Sequence, residues 1–314
     1  MGRIPSRAGW MVRAICVLLL MAAPALSATE TAAPQATPAL WRVQHGTSTV
    51  YLFGSLHVLP PDFSWRTPEI ESAMAAADRF YFEVPVDDAA LKDEKEFIVQ
   101  NGILAKRQTL RGLLNPGEFQ IYSAILRRAG LNPLYFERYR PWLASVMVGL
   151  AYLHGGDLTM LKGADDEIMA YGREHGRPLL YLENIEEQMK LLTTGNEGSQ
   201  LKALKNLIIS LPSSRDQEKE LQQIWARGDA KAMAAVLDAF FKGRPEAQDI
   251  LIDSRNRNWM PALEESLARD NSTTMMTVGV AHIGGRKGLV ALLCSEGYKV
   301  ERVGTDENAC GPEA

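Results

Sequence analysis

The chain has 314 residues, room for one large domain or two small ones, and 34 Lys and Arg against 38 Asp and Glu give a net charge of −4. No basic stripe runs through it, which argues against a nucleic-acid binder. Three cysteines, Cys16, Cys294 and Cys310, are too few for a disulfide-built scaffold.

Arg3, Arg7 and Arg13 precede an apolar run, Ala14 to Ala23, and the small residues Ala25-Leu26-Ser27-Ala28 follow. A basic start, a short apolar core and small residues before a cut are the requirements of a secretory signal peptide, expected at 1–27. The run is well short of the roughly 20 residues that span a bilayer, and no later stretch is long and apolar enough to do so. Cys16 lies inside the apolar run rather than at the cut, against lipid attachment there. Losing three arginines takes the net charge from −4 to −7, so the mature chain is expected to be acidic and periplasmic or secreted. In an oxidising compartment Cys294 and Cys310 are expected to pair, stapling the C-terminal tail to the last helix.

Residues 28–39, mostly Ala, Thr and Pro, read as a flexible linker, and a single α/β domain is expected over 40–312. A first strand is predicted at Leu40–Val43 and a second at Val50–Phe53, joined through Gly46-Thr47-Ser48 by a turn slightly longer than the tightest type. Helix is predicted over Pro68–Ala77 and strand over Arg79–Val84. Helices follow at Asp88–Val99, Pro116–Ala129 and Pro141–Leu153, the last apolar on most sides and therefore buried. Another helix, Asp165–His175, leads to the strand Leu179–Leu182. From Glu186 to Ala268 the pattern is almost continuously helical, broken by Pro212, Gly228 and Pro245. Strand returns at Thr273–Val278, helix at Arg286–Ser295 and strand at Tyr298–Val303. This order predicts a central mixed sheet flanked by helices, with a long helical insert in the second half.

Two strings of the form Gly-x-x-His stand out: Gly54-Ser55-Leu56-His57 and Gly279-Val280-Ala281-His282. Each follows a strong strand directly, and the C-terminal strand edge is where open α/β sheets bind ligands. Either string alone is weak; the matched pair is much more specific. His45, His154 and His175 sit in turn or helix-end contexts and read as structural. Glu83 closes the aromatic strand Phe80-Tyr81-Phe82, where a carboxylate is costly to bury without a partner, and Glu183 repeats that placement after Leu179–Leu182. Two imidazoles and two carboxylates at strand ends suit a divalent ion, and equally suit acid–base work without one. Arg255 precedes the last strands on a helix and reads either as a fork onto Glu83 or a substrate anion or as part of a solvated helix face. Asp165, after Gly163-Ala164, is placed to cap its helix. Gly284, Gly285 and Gly288 open the last helix, as an anion site or a plain tight turn. Ser55 beside His57 has no complete triad around it, and no Gly-x-Ser-x-Gly, His-Glu-x-x-His or phosphate-loop motif occurs.

Taken together, these strings resemble the TraB/GumN family, which is similar to the Tiki metalloproteases and more distantly to erythromycin esterase and ChaN-like proteins. The resemblance rests on Tyr51-Leu52-Phe53-Gly54-Ser55-Leu56-His57, Phe82-Glu83-Val84, Gly163-Ala164-Asp165, Leu182-Glu183 with Gln188, Arg255-Asn256 with Trp259, and Val278 to Gly285. It covers nearly the whole mature chain. It implies a metal-dependent hydrolase of peptide bonds, with His57, His282 and Glu83 holding a divalent ion and Arg255 beside them. It also implies a rival, a non-catalytic binder of a peptide or haem on the same edge. Asp166 and Glu167 make the helix start at Asp165 more acidic than that pattern, so no specific role is assigned to Asp165.

Overall fold

The computed structural model describes residues 36–60, 63–154, 162–211, 215–305 and 307–310. The expected signal segment, most of the linker and Pro212 lie outside them. Among the described residues no helix is long and apolar enough to cross a membrane. The chain divides into two compact units. Of the described residues, one unit takes 36–60, 63–83, 162–182, 219–305 and 307–310, and the other takes 84–154, 183–211 and 215–218.

The first unit holds the whole sheet. Strands β1 (Leu40–His45) and β2 (Ser48–Ser55) pair antiparallel with His45 opposite Ser48, leaving Gly46-Thr47 as a two-residue turn. The turn is thus tighter than the apolar runs suggested. Backbone pairing continues into polar residues, because a ladder needs only N–H and C=O groups. With β3 (Arg79–Phe82), β4 (Leu179–Tyr181), β5 (Thr273–Gly279) and β6 (Val300–Arg302) the sheet is mixed and runs β4-β3-β5-β2-β1-β6. The chain leaves β2 through the helix Pro68–Ala76 and returns as β3 one strand further along, and β5 fills the gap. It pairs in parallel with β2 from Thr49 to Ser55 and with β3 from Arg79 to Tyr81.

Both faces of the central strands are buried. On one, Val43, Val50, Leu52, Met276 and Val278 pack with Trp259, Leu263 and Leu267 of the helix Ser254–Ala268 and with Leu289 and Leu293 of the helix Leu289–Ser295. On the other, Phe53 stacks on Trp65 at 5.4 Å between ring centres, and Trp225 Nε1 donates to Gly54 O at 2.7 Å. With both faces covered, every residue of β5 after Thr273 is buried, Thr274 and Thr277 included. The last helix starts at Leu289, not Arg286, because Gly288 N–H is turned back to Gly285 O at 3.1 Å.

The second unit is helical: Asp88–Asn101, Leu110–Leu113, Pro116–Arg128, Pro141–His154, Ile185–Leu192 and Glu197–Ser210. Its N-termini are written into the sequence, with Asn115 and Glu118, then Asn184 and Glu187, each closing a reciprocal cap. Leu143, Ala144, Val148 and Leu150 of Pro141–His154 are fully buried, as the all-round apolar pattern predicts. The long helical stretch between β4 and β5 is present, with a further break at Thr193–Asn196. Pro245–Gln248 is followed by one π-helical turn, Asp249–Asp253, that no sequence pattern announced.

Cys294 and Cys310 form the expected disulfide, with their Cα atoms 5.3 Å apart. Reduction, or Cys294→Ser, is expected to lower unfolding free energy by about 2–4 kcal/mol, the range for loops of this kind. Urea titrations with and without reductant measure it, and Cys294→Ser should show no further loss on reduction.

Candidate functional site

Three neighbouring parallel strands, β3, β5 and β2, end side by side, and the residues just past them are Glu83, Val280 to His282, and His57. Parallel pairing therefore brings together three side chains that are far apart in sequence. The two Gly-x-x-His strings also pack on each other: a Cβ on Gly54 would meet Val280 Cα and Ile283 Cγ1, each at 3.0 Å. The first motif's glycine is needed for the second motif's close approach.

Glu83 is buried, and both its oxygens have partners. Oε1 accepts from Gly279 N–H at 2.6 Å and Oε2 from Arg255 Nη2 at 2.6 Å. Burial works against ionisation here, but the Arg255 guanidinium, helped by the Gly279 N–H, outweighs it, holding the carboxyl well below the usual carboxylate range. Glu83 therefore stays charged. Arg255 comes from the helix that follows the π turn. Its Nη1 reaches His282 Nε2 at 3.0 Å and Leu251 O at 3.2 Å, and its guanidinium carbon sits 4.8 Å over the Trp259 ring.

Asn256, the next residue, sets the protonation of His282. Its Nδ2 donates to the carbonyls of His282 at 3.2 Å and Lys287 at 2.8 Å, which fixes the orientation of the amide. Its Oδ1 thus faces His282 Nδ1 at 2.7 Å, so that nitrogen carries the proton. The lone pair on Nε2 points to Arg255. Burial, then the adjacent Arg255 charge, lowers the His282 pKa to about 3 and keeps the ring neutral.

His57 differs. Its Nδ1 lies 3.0 Å from Asp165 Oδ2 and its Nε2 lies 3.8 Å from Glu83 Oε1. Its side chain is 11% exposed and that of Asp165 17%, whereas His282 as a residue is 0% exposed. Asp165 is not the helix cap. Gly163 occupies that position, and Asp166 accepts from its N–H at 2.8 Å, which leaves Asp165 to turn toward His57. A Cβ on Gly163 would meet His57 Cα at 2.5 Å, so glycine is required there as well.

Of the residues expected from sequence, His57, Glu83, Arg255 and His282 are in one network. Glu183, half-buried two residues past β4, belongs to the helical unit. Asp165 and Asn256 also belong to this network; sequence reasoning left both unassigned, although both lie inside the quoted motifs. Ser55 is buried, and among the described residues its hydroxyl has no hydrogen-bond partner, so it does not form a pair with His57. His175 bonds to its own helix through Tyr171 O at 2.9 Å, and His45 packs on Tyr298, as structural histidines do.

A sequence profile of the TraB/PrgY/gumN family matches residues 39–302. The chain belongs to this family. It is also 25% identical over 211 residues to an uncharacterized protein of Treponema pallidum (strain Nichols), a match covering 62% of this chain and 60% of that one. The chain thus aligns with less than two thirds of that relative. No solved structure gives a significant match.

The divalent ion implied by the earlier resemblance needs lone pairs from His57, His282 and Glu83. The donors are of the right kind, two imidazoles and a carboxylate. In this arrangement, though, His282 Nε2 is already an acceptor for Arg255, and a guanidinium lies against Glu83 Oε2. The residues as arranged do not fit an ion shared by all three.

His282 makes stability depend on pH. Folded, the ring takes up a proton only near pH 3, while unfolded it does so near 6.5. Stability from this site is therefore full above about pH 6.5 and is lost as pH falls toward 3. Glu83, with its depressed value, adds a loss only below the ordinary carboxylate range. Between pH 7.5 and 5 wild type should lose about 2 kcal/mol more than His282→Gln, taking 1.36 kcal/mol per unit. Denaturant midpoints at the two pH values check this.

Proposed function

We propose that this chain is an exported hydrolase of peptide or similar acyl bonds, with His57 as its general base. The observation that carries this reading is the contrast between the two histidines. His282 is sealed, neutral and bonded through both ring nitrogens, while His57 keeps solvent exposure and is oriented by Asp165. Export is supported by the basic and apolar N-terminal sequence and by a disulfide, which persists in oxidising compartments.

In this reading Asp165 accepts from His57 Nδ1–H, leaving the Nε2 lone pair to act. Water gives a proton to Nε2 as its oxygen attacks the carbonyl carbon of the substrate. The tetrahedral adduct collapses as Nε2–H returns that proton to the leaving amine or alcohol, and a carboxylic acid is released. Asp165 counters the positive charge formed on the ring, as the aspartate of a catalytic triad does. Glu83 remains ionised 3.8 Å from Nε2 and adds to this effect without itself moving a proton. Arg255 and His282 hold Glu83 and the strand ends in register. No step runs through an ion.

The test is turnover of a peptide and ester panel by the mature chain. His57→Ala should lower kcat by about 10²–10⁴, the usual contribution of a positioned base. Asp165→Asn should lower kcat while leaving KM nearly unchanged. Tight binding of the same peptides with no turnover, lost in His57→Ala, would replace the enzyme by the binding protein that the resemblance also allows.

A further inference from the structure

The cation that holds this site together is already part of the chain. An ion bonded to both His282 Nε2 and Glu83 Oε2 has to stand between those two atoms, at ~2 Å from each. The atoms standing there are Arg255 Nη1, 3.0 Å from the imidazole nitrogen, and Nη2, 2.6 Å from the carboxylate oxygen. Unlike a lysine, arginine does not give up its charge when buried. Nor is its exit easy. The residue is 4% exposed, bonds to Leu251 O at 3.2 Å and lies over Trp259. Leaving would strip a buried carboxylate of its counter-charge, and staying would set a divalent ion against a guanidinium.

The surrounding donors are nonetheless prepared as ligands are. Each histidine has Nδ1 held by a side-chain oxygen, Asp165 for His57 at 3.0 Å and Asn256 for His282 at 2.7 Å, which aims each Nε2 away from that oxygen. Glu83 Oε1 and His57 Nε2 are 3.8 Å apart, within the span of two ligand bonds of ~2 Å.

We infer that Arg255 is the resident cation of the site, standing in for a metal. Wild type then holds no divalent ion at these residues, and removing the guanidinium uncovers a two-imidazole, one-carboxylate site for Zn²⁺ or Co²⁺. The inference does not depend on the proposed hydrolysis, because its readout is ion stoichiometry.

The experiment uses chelator-treated mature chain titrated with Co²⁺ and Zn²⁺, following bound ion by elemental analysis, the Co²⁺ d–d absorption and the melting temperature. Wild type should show no d–d bands and no change in melting temperature with Zn²⁺ or chelator. Arg255→Ala should take up about one ion per chain, the stoichiometry of a single closed site, and be stabilised by it. Arg255→Ala/His282→Ala should lose that uptake. Should Arg255→Ala fail to fold without metal, Arg255→Met keeps the side-chain bulk and replaces it. Wild type binding one ion that His282→Ala abolishes overturns the inference. So does a folded Arg255 variant that binds none, while inactivity toward every peptide and ester leaves the inference standing and removes only the hydrolase reading.

Discussion

The parallel insertion of β5 between β2 and β3 is the constraint on which the site and the sheet both depend. Adjacent strands are ~4.8 Å apart, so three parallel neighbours present their C-terminal ends as one short row. Whatever follows those strands is forced into proximity, here His57, Glu83 and the turn that carries His282. The same insertion buries β5 on both faces and on both edges. Its burial and the polar groups gathered beyond its end are therefore two consequences of one arrangement. The apolar residues supply burial, and the strand ends gather polar groups that must then satisfy one another.

They do so as a connected array. Gly279 N–H and Arg255 share the two oxygens of Glu83, Arg255 also serves His282, and Asn256 closes the chain on the far side of the ring. In a low-dielectric interior such a network is worth little as net stability against an apolar core of equal shape, but any missing member leaves a buried polar group exposed to the full desolvation cost. The array therefore acts chiefly on position. It fixes the tautomer of His282, keeps Glu83 ionised and ties the turn after β5 to the helix Ser254–Ala268. Trp259 lies one helical turn beyond Arg255 and presents its ring both to the guanidinium and to His282, at 4.4 Å between ring centres.

Much of this was legible from residue type and spacing. His57 and His282 could be placed because each follows glycine and a strand, and Glu83 because a carboxylate ends an aromatic strand. Arg255 was one candidate partner for it, with a solvated helix face as the other reading. Asp165 was not legible, since an acid at a helix start is first read as a cap. Only the structure shows that Gly163 is the cap and that Asp166, not Asp165, is the acid that accepts from its N–H, leaving Asp165 to turn to the imidazole. Asn256 was hidden likewise, because nothing in Arg-Asn-x-x-Trp says which side of a helix meets a ring. The π turn at Asp249–Asp253 has no sequence signature at all, yet it leads into the helix that carries Arg255 and supplies the Leu251 carbonyl that steadies it.

The sequence by itself determined most of the elements, the sheet class, the cysteine pair and the short set of polar residues at strand ends. These are local properties, set by periodicity, by side chains that bond to nearby backbone and by glycine. Tertiary structure alone decided strand order, and with it which polar residues meet. It also decided that Asp165 serves His57, and that a guanidinium and not an empty coordination position lies between Glu83 and His282. The reason is physical. Proximity across a parallel sheet depends on which strands become neighbours, and the atom that takes a lone pair depends on approaches of a few tenths of an ångström that no residue pattern encodes.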